Sequence, residues 1–209
     1  SSLKDLGPGR YAIKAITEAG AERVIRFAFE LARKRGGQRK VTLTSKYNML
    51  HQSDGLFREI GRSIADEYSD IEFETFIVDD FLCRMITQPD ALDVVVTPNL
   101  YGDILSDGAA GLIGGLGLAP SGCFGADYAY FESAHGTAPD IQGMNVINPT
   151  ATLLSAGMML EYLGLEDAAR ALKNAVSATF KEGQNLTPDQ GGTATTTDFC
   201  NSVRLHLGI

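Results

Sequence analysis

Residues 93–107 read DVVVTPNLYGDILSD, and this stretch contains the alternation that decides the fold. The valines at 94–96 are typical of a strand that is buried on both faces, as strands of parallel sheets are. The segment from Asn99 onward then predicts a turn into a helix that runs to about Ile113. A strand followed directly by a helix is the unit from which α/β proteins are built.

The same alternation extends in both directions along the chain. The predicted helices cover residues 21–35, 53–68, 81–88, 149–163, 166–181 and 197–207, and the further predicted strands cover residues 40–44, 71–78 and 128–133. Residues 114–125 are rich in glycine and predict a connection between two regions. We therefore predict an α/β protein of two domains, residues 1–113 and 114–209.

Composition excludes several classes of function. The chain has 209 residues, 44% of them hydrophobic, which is ordinary for a globular protein. Its net charge of −8 is unfavourable for nucleic acids and anionic membranes, so we expect neither as a partner. No apolar run approaches the roughly 20 residues that span a bilayer. Three cysteines without a C-x-x-C pair predict reduced thiols and a cytoplasmic location.

Two aspartates form the first candidate site. Asp103 and Asp107 are four residues apart on a predicted helix, so they share one face with Cβ atoms roughly 5–6 Å apart. Paired carboxylates suit hard cations such as Mg²⁺ or Mn²⁺. The same spacing is common on solvated helix faces, and a single aspartate can also cap a helix. The spacing alone leaves these interpretations open.

Two further polar residues lie at the ends of predicted strands. Lys46 follows the strand at 40–44 and can act as a general base if its neighbours lower its pKa, although most lysines are exposed cations. Asp79 lies at the end of the strand at 71–78, where carboxylates often face a ligand crevice in α/β folds. A turn or helix cap before Phe81 explains Asp79 equally well.

Residues 132–148 form a long predicted loop that begins ESAHGTAPDI. Glycine and small residues allow the backbone to approach a phosphate-bearing ligand closely. An acidic residue in such a loop can accept hydrogen bonds from a ribose diol, and it repels a 2′-phosphate. A surface loop with a satisfied histidine is the alternative interpretation.

Taken together and in this order, these segments resemble the β-decarboxylating dehydrogenases, the isocitrate and isopropylmalate dehydrogenase family. The match covers nearly the whole chain. The matching residues are ERVIRFAF at 22–29, Lys46 with Asn48, Val78 with Asp79, PNLYGDILSD at 98–107, GGLG at 114–117, HGTAPD at 135–140 and NPT at 148–150. The resemblance implies an isopropylmalate dehydrogenase-like two-domain fold, here incomplete because the N-terminal part is absent. Residues 1–113 would be the small, dimer-forming domain and residues 114–209 the C-terminal part of the large domain.

The resemblance also implies a mechanism. The family transfers a hydride from the hydroxyl carbon of a 2-hydroxy diacid to a nicotinamide, and the product then loses CO₂. Asp103 and Asp107 would bind Mg²⁺ or Mn²⁺ together with Asp79 from a partner subunit. Lys46 would be the base for the hydroxyl proton, also across the subunit boundary, and Asn48 would line the substrate site. A homodimer with a shared active site is therefore expected.

By the same resemblance, the loop would bind the adenosine end of the cofactor. The residues implied are Glu132, His135, Gly136, Thr137, Ala138, Pro139, Asp140, Ile141 and Asn148. NADP-dependent members have a lysine–tyrosine pair where this chain has Asp140-Ile141, so we expect NAD as the cofactor.

The choice of substrate rests on two short segments. Residues 114–118, GGLGL, and residues 148–151, NPTA, look more like the NAD-isocitrate branch than the isopropylmalate branch. Tyr47 departs from the usual alanine after the lysine. Isopropylmalate, homoisocitrate, tartrate and malate are alternative substrates, and a non-catalytic regulatory subunit is an alternative of another class. The family's N-terminal substrate motifs are not found here, so we expect this chain alone to be inactive.

Overall fold

The computed structural model describes residues 7–209. The chain divides into two compact units, the first ending at Ser106 and the second beginning at Asp107. The division falls within a helix, Asn99–Leu112, and the glycine-rich segment that predicts a boundary near Ile113 begins just after that helix.

The first unit is built on a three-stranded parallel sheet of order β2-β1-β3. Its elements, in chain order, are α1 (Glu18–Arg35), β1 (Lys40–Ser45), α2 (Ser53–Ala65), β2 (Glu72–Ile77), α3 (Val78–Thr87), β3 (Val94–Val96) and the first part of α4 (Asn99–Leu112). The central strand β1 is buried along its length from Val41 to Ser45. The chain is therefore an α/β protein, as predicted.

Helix α1 shows why the helices form where they do. The Thr17 side chain caps it by accepting a hydrogen bond from the Gly20 backbone N–H, and Gly36 ends it in the left-handed conformation with φ of 63°. Its buried residues recur every three or four positions, so one face packs against the sheet. These residues are Ala21, Ile25, Ala28, Phe29 and Ala32.

The sheet register determines which side chains meet at the edge where the parallel strands end. Ser45, the last residue of β1, pairs with Ile77, the last residue of β2. The residues that follow, Lys46 and Asp79, therefore emerge at the same edge. Parallel strands make this unavoidable, because their carboxyl ends point in one direction.

The second unit contains a two-stranded antiparallel sheet and three helices. They are β4 (Pro120–Phe124), β5 (Ala129–Ser133), α5 (Thr150–Tyr162), α6 (Glu166–Glu182) and α7 (Thr196–Leu207). Helix α5 packs against both strands and against α6, which in turn packs against α7. The Ser155 hydroxyl fixes α5 to the strands: it donates to the Glu132 carbonyl (2.6 Å) and accepts from the Ser121 N–H (3.2 Å).

Two sequence predictions were wrong at the level of elements. Helix α3 begins at Val78 rather than Phe81, so Asp79 lies in the first turn of a helix and not at the end of a strand. Acidic residues are favourable there because of the helix dipole. Residues 120–124 form a strand within the segment predicted as a connection. Gly122 weakens the strand signal, but the Phe131 ring of β5 occupies the space beside it.

Among the helices that the structure describes, none is both long enough and apolar enough to span a bilayer.

Candidate functional site

Lys46 and Asp79 form an ion pair within one chain. The Lys46 ammonium donates to Asp79 Oδ1, and both side chains remain partly exposed, 30% and 59% respectively. The hydrogen bond from Lys46 lowers the pKa of the Asp79 carboxyl, so Asp79 stays ionised below its usual range. The Asp79 carboxylate and the Lys46 ammonium are thus held together near the carboxyl ends of the parallel strands, where both are partly exposed to solvent.

In the turn after β1, the side chains of Tyr47 and Asn48 differ in exposure. Asn48 is exposed in the turn, whereas Tyr47 is half-buried. The Arg58 guanidinium lies over the Tyr47 ring, with Cζ 4.2 Å from the ring centroid. The Tyr47 ring is therefore packed against α2. This contact gives the bulky side chain at position 47 a place on the structure.

Asp103 and Asp107 both lie on α4 and both are exposed. Asp103 accepts a hydrogen bond from the Asn99 side chain at 3.3 Å. Within residues 7–209 of one chain, no group of three His, Cys, Asp or Glu side chains is arranged to hold a metal ion. The structure therefore places the two aspartates one helical turn apart, as predicted from their spacing, without adding a third acidic ligand from the described chain.

The second unit contains a cleft of about 340 Å³, within the range of small-ligand sites. Five of its lining residues are among those that the resemblance implies for cofactor binding. They are His135, Gly136, Ala138, Ile141 and Asn148. A second cavity of about 410 Å³ shares Ala138 and Ile141 with it and adds Thr137. Glu132, Pro139 and Asp140 line neither cavity, and Asp140 is exposed in a short 3₁₀ helix, Pro139–Ile141.

Asn148 is a buried lining residue of the cleft, and both its amide oxygen and its amide nitrogen are hydrogen-bonded. Its Oδ1 accepts from the Thr150 N–H (3.0 Å) and its Nδ2 donates to Asp189 Oδ2 (3.0 Å). These two bonds fix the orientation of the amide. The Asn148 side chain is therefore held in one orientation by the protein itself.

Asp189 is a lining residue that sequence reasoning missed. Partial burial by itself would raise its pKa, but hydrogen bonds from Thr187, Asn148 and Gln190 together lower it. Thr187 donates to Oδ1 at 2.5 Å, and Gln190 donates to Oδ2 at 3.0 Å. Asp189 lies in a short 3₁₀ helix, Pro188–Gln190, where a lone aspartate carries no spacing signal.

The constrained positions of the loop include His135 and Ala138. The His135 Nδ1–H donates to the Gly136 carbonyl at 2.9 Å, which leaves Nε2 of a neutral ring as an acceptor. Ala138 has a positive φ of 43°, which is unfavourable for a residue with a Cβ. Such backbone conformations cluster at ligand-binding sites.

Comparisons with known proteins agree with the resemblance. The sequence model of a family described as isocitrate/isopropylmalate dehydrogenase matches residues 4–203. The chain is 50% identical over 193 residues to the alpha subunit of mitochondrial NAD isocitrate dehydrogenase from Macaca fascicularis, covering 92% of this chain and 55% of that protein. It is 49% identical over 195 residues to a 3-isopropylmalate/3-methylmalate dehydrogenase from Methanocaldococcus jannaschii, covering 92% of this chain and 58% of that protein.

A solved structure is similarly close. The crystal structure of isocitrate dehydrogenase from Methylococcus capsulatus superposes with a TM-score of 0.89 at 46% identity, covering 93% of this chain and 58% of the other. The chain therefore spans a little more than half the length of these relatives.

Proposed function

This chain belongs to the isocitrate/isopropylmalate dehydrogenase family, and we propose that the intact protein oxidises isocitrate with NAD and decarboxylates it to 2-oxoglutarate and CO₂. The observation that carries the proposal is the Lys46–Asp79 pair. It supplies a base and a metal-binding carboxylate at one point of the surface.

In this proposal Lys46 performs the proton transfer. When bound, the nicotinamide would accept the hydride from the substrate's hydroxyl carbon. The Lys46 ammonium would first release a proton to solvent, so that its neutral amine could take the hydroxyl proton. The Asp79 carboxylate stabilises the ammonium that forms, since the two groups are already hydrogen-bonded. The resulting β-keto acid then loses CO₂ and takes up a proton. Asn48, exposed beside Lys46, would contact the substrate.

Three aspartates fit a divalent metal. Carboxylate oxygens are the ligands that Mg²⁺ and Mn²⁺ prefer, and the lowered pKa of Asp79 keeps it anionic. When bound by Asp103, Asp107 and Asp79, the metal would polarise the substrate's hydroxyl oxygen and stabilise developing negative charge. Because the described part of one chain contains no three-ligand group, we propose that Asp79 comes from the partner subunit.

The proposed partner is a second copy of the chain. In the first unit, apolar side chains four residues apart are exposed on two helices, Leu82 and Ile86 on α3 and Leu100 and Ile104 on α4. Exposed large apolar side chains that recur on one helix face are candidates for an interaction site. A homodimer would cover these residues and complete the metal site.

NAD is the proposed cofactor, with its adenosine end in the cleft beside Gly136 and Asn148. A Cβ at Gly136 would meet nothing within 4 Å, so this backbone is open to a ligand. The exposed Asp140 carboxylate would accept hydrogen bonds from the ribose hydroxyls and repel a 2′-phosphate. The relatives named as NAD isocitrate dehydrogenase subunits support this choice.

A second candidate is 3-isopropylmalate oxidation, because the Methanocaldococcus relative is nearly as similar as the isocitrate enzymes. The discriminating experiment is a panel of 2-hydroxy diacids with NAD and NADP on the intact protein, with and without a chelator. We expect isocitrate and NAD to give the highest kcat/KM, with activity lost to the chelator and restored by Mn²⁺ or Mg²⁺. Preference for an alkyl-malate would favour the second candidate.

Absence of turnover with every diacid would overturn the enzymatic proposal and favour a regulatory subunit. The 209-residue chain alone should form no NADH, since it spans only part of its relatives. A cytoplasmic location also stays a proposal: relatives are named as mitochondrial, and fractionation of the source cells would decide.

A further inference from the structure

We infer that Asp54 is the positioning residue for the proposed general base, and that its ion pair with Lys14 links this base to the helix of the proposed metal-binding aspartates. The inference rests on the proposed function and deepens it. Asp54 was not among the site residues expected from the sequence.

Asp54 is completely buried, and among the described residues it is the one charged side chain with so little exposure. It lies in the first turn of α2, where a negative charge is favourable. Its Oδ2 accepts a hydrogen bond from the backbone N–H of Lys46 at 2.8 Å. The Asp54 carboxylate therefore fixes the chain at the point where it leaves β1 and where the Lys46 side chain begins.

The second carboxylate oxygen of Asp54 binds a cation. Oδ1 forms an ion pair with the Lys14 ammonium, without regular hydrogen-bond geometry. Burying a lone carboxylate is costly, and an ion pair offsets that cost only where both partners are held in place. Lys14 belongs to the segment before α1, which is neither helix nor strand, so the pair also attaches that segment to α2.

Lys14 also contacts α4. Its ammonium lies 4.3 Å from the centroid of the Tyr101 ring, a cation–π contact. Tyr101 precedes Asp103 by two residues in the first turn of α4. A continuous series of contacts thus connects Lys46, Asp54, Lys14 and Tyr101, all within the first unit.

The contacts that connect Lys46, Asp54, Lys14 and Tyr101 predict a specific kinetic effect. Removing the Asp54 carboxylate frees the Lys46 backbone but removes no group that contacts substrate or cofactor. A reacting group displaced by about 1 Å can cost on the order of 10²-fold in rate. We therefore expect kcat to fall while the KM values for substrate and NAD change little.

The test uses the intact protein with the variants Asp54→Ala, Asp54→Asn and Lys14→Met. Each should lower kcat by roughly tenfold or more, with KM values within about twofold of wild type. The double variant Lys14→Met/Asp54→Asn should lose less than the product of the single losses, because the two residues act through one contact. Asp66→Asn, an exposed aspartate at the end of the same helix, is the matched control and should keep wild-type kinetics.

Wild-type kcat in folded Asp54→Ala would overturn the inference. Should Asp54→Ala fail to fold, Lys14→Met decides by the same kcat criterion. If the wild-type protein turns over no diacid, the proposed function has failed, and amide hydrogen exchange becomes the test. Faster exchange of the Lys46 N–H in Asp54→Asn would then support the positioning role, and unchanged exchange would overturn it.

Discussion

Tyr47 shows that a residue next to a proposed catalytic group can have a packing role of its own. The ring follows the proposed base directly, yet it packs on the Arg58 guanidinium at 4.2 Å. The side chain is thereby held against α2. The sequence alone left its direction open, because the identity of a residue after a strand does not say which neighbour it will contact.

We predict that Tyr47→Ala lowers the free energy of unfolding by about 0.5–2 kcal/mol, the range of a cation–π contact, and leaves substrate preference unchanged. Urea unfolding and the diacid panel measure the two effects. Tyr128→Ala, whose ring is 76% exposed, is the control and should change stability by less than about 0.5 kcal/mol. A changed substrate preference in Tyr47→Ala would mean that the ring reaches the substrate.

Ala138 is a second residue whose conformation has a measurable consequence. Its φ of 43° is unfavourable for a Cβ, and glycine adopts it without cost. We predict that Ala138→Gly raises the free energy of unfolding by up to about 1 kcal/mol, as measured by urea unfolding. Ala134→Gly, in the same loop but without a positive φ, should instead lower it. Equal effects of the two variants would show that the strain at Ala138 is negligible.

At the scale of elements, ion pairs attach α1 to the segment between α2 and β2. Arg26 contacts Glu67 through two bonds of 2.8 Å, and Arg33 contacts Asp70 at 2.6 Å. The hydrogen bond from Arg26 lowers the pKa of Glu67, and that from Arg33 lowers the pKa of Asp70. The folded state therefore binds fewer protons than the unfolded state at these carboxyls.

The sign of the pH dependence follows from those lowered pKa values. The stabilisation is present above the ordinary carboxyl pKa, near 4, and is lost as the pH falls through the folded-state values. We predict that Tm falls between about pH 6 and pH 3, and that Arg26→Met/Arg33→Met shows a smaller fall. Arg23→Met, an exposed arginine of the same helix, should follow the wild-type curve. Parallel curves for all three proteins would contradict the prediction.

Elements with strong periodicity could be predicted from the sequence, and those fixed by tertiary pairing could not. The buried face of α1 repeats at helical spacing, and Val94–Val96 is apolar throughout, so both elements were identified. The strand is not buried on both faces as expected, because Val95 is 37% exposed. Strand β4 was missed because Gly122 gives no strand signal until Phe131 is opposite it. The start of α3 was misplaced because β2 runs into it without a turn residue.

The candidate site likewise contains residues that could be predicted from the sequence and residues that could not. Lys46, Asp103 and the loop residues are visible as motifs, since their chemistry is carried by residue type and spacing. Asp54 and Asp189 are recognised only in three dimensions, because each acts through hydrogen bonds to residues distant in sequence. A buried aspartate within an ordinary helix start has no sequence signature of its own.

At the scale of the whole molecule, the proposal requires two copies of the chain at each active site. Lys46 and Asp79 form an ion pair within one chain, and Asp103 and Asp107 lie on one helix of one chain. If the two pairs come from opposite subunits, inactive variants should complement one another in a way that depends on which residues are changed.

We therefore predict that the intact variants Lys46→Met and Asp103→Asn, each inactive, regain roughly a quarter of wild-type activity when unfolded together and refolded as an equal mixture. About half of the dimers are then mixed, and each of these has one site with both residues intact. Lys46→Met mixed with Asp79→Asn is the matched control. It should stay inactive, since both residues belong to the same chain and every site in a mixed dimer lacks one of them. Recovery in the control mixture, or none in the first, would show that the site is not shared in this way.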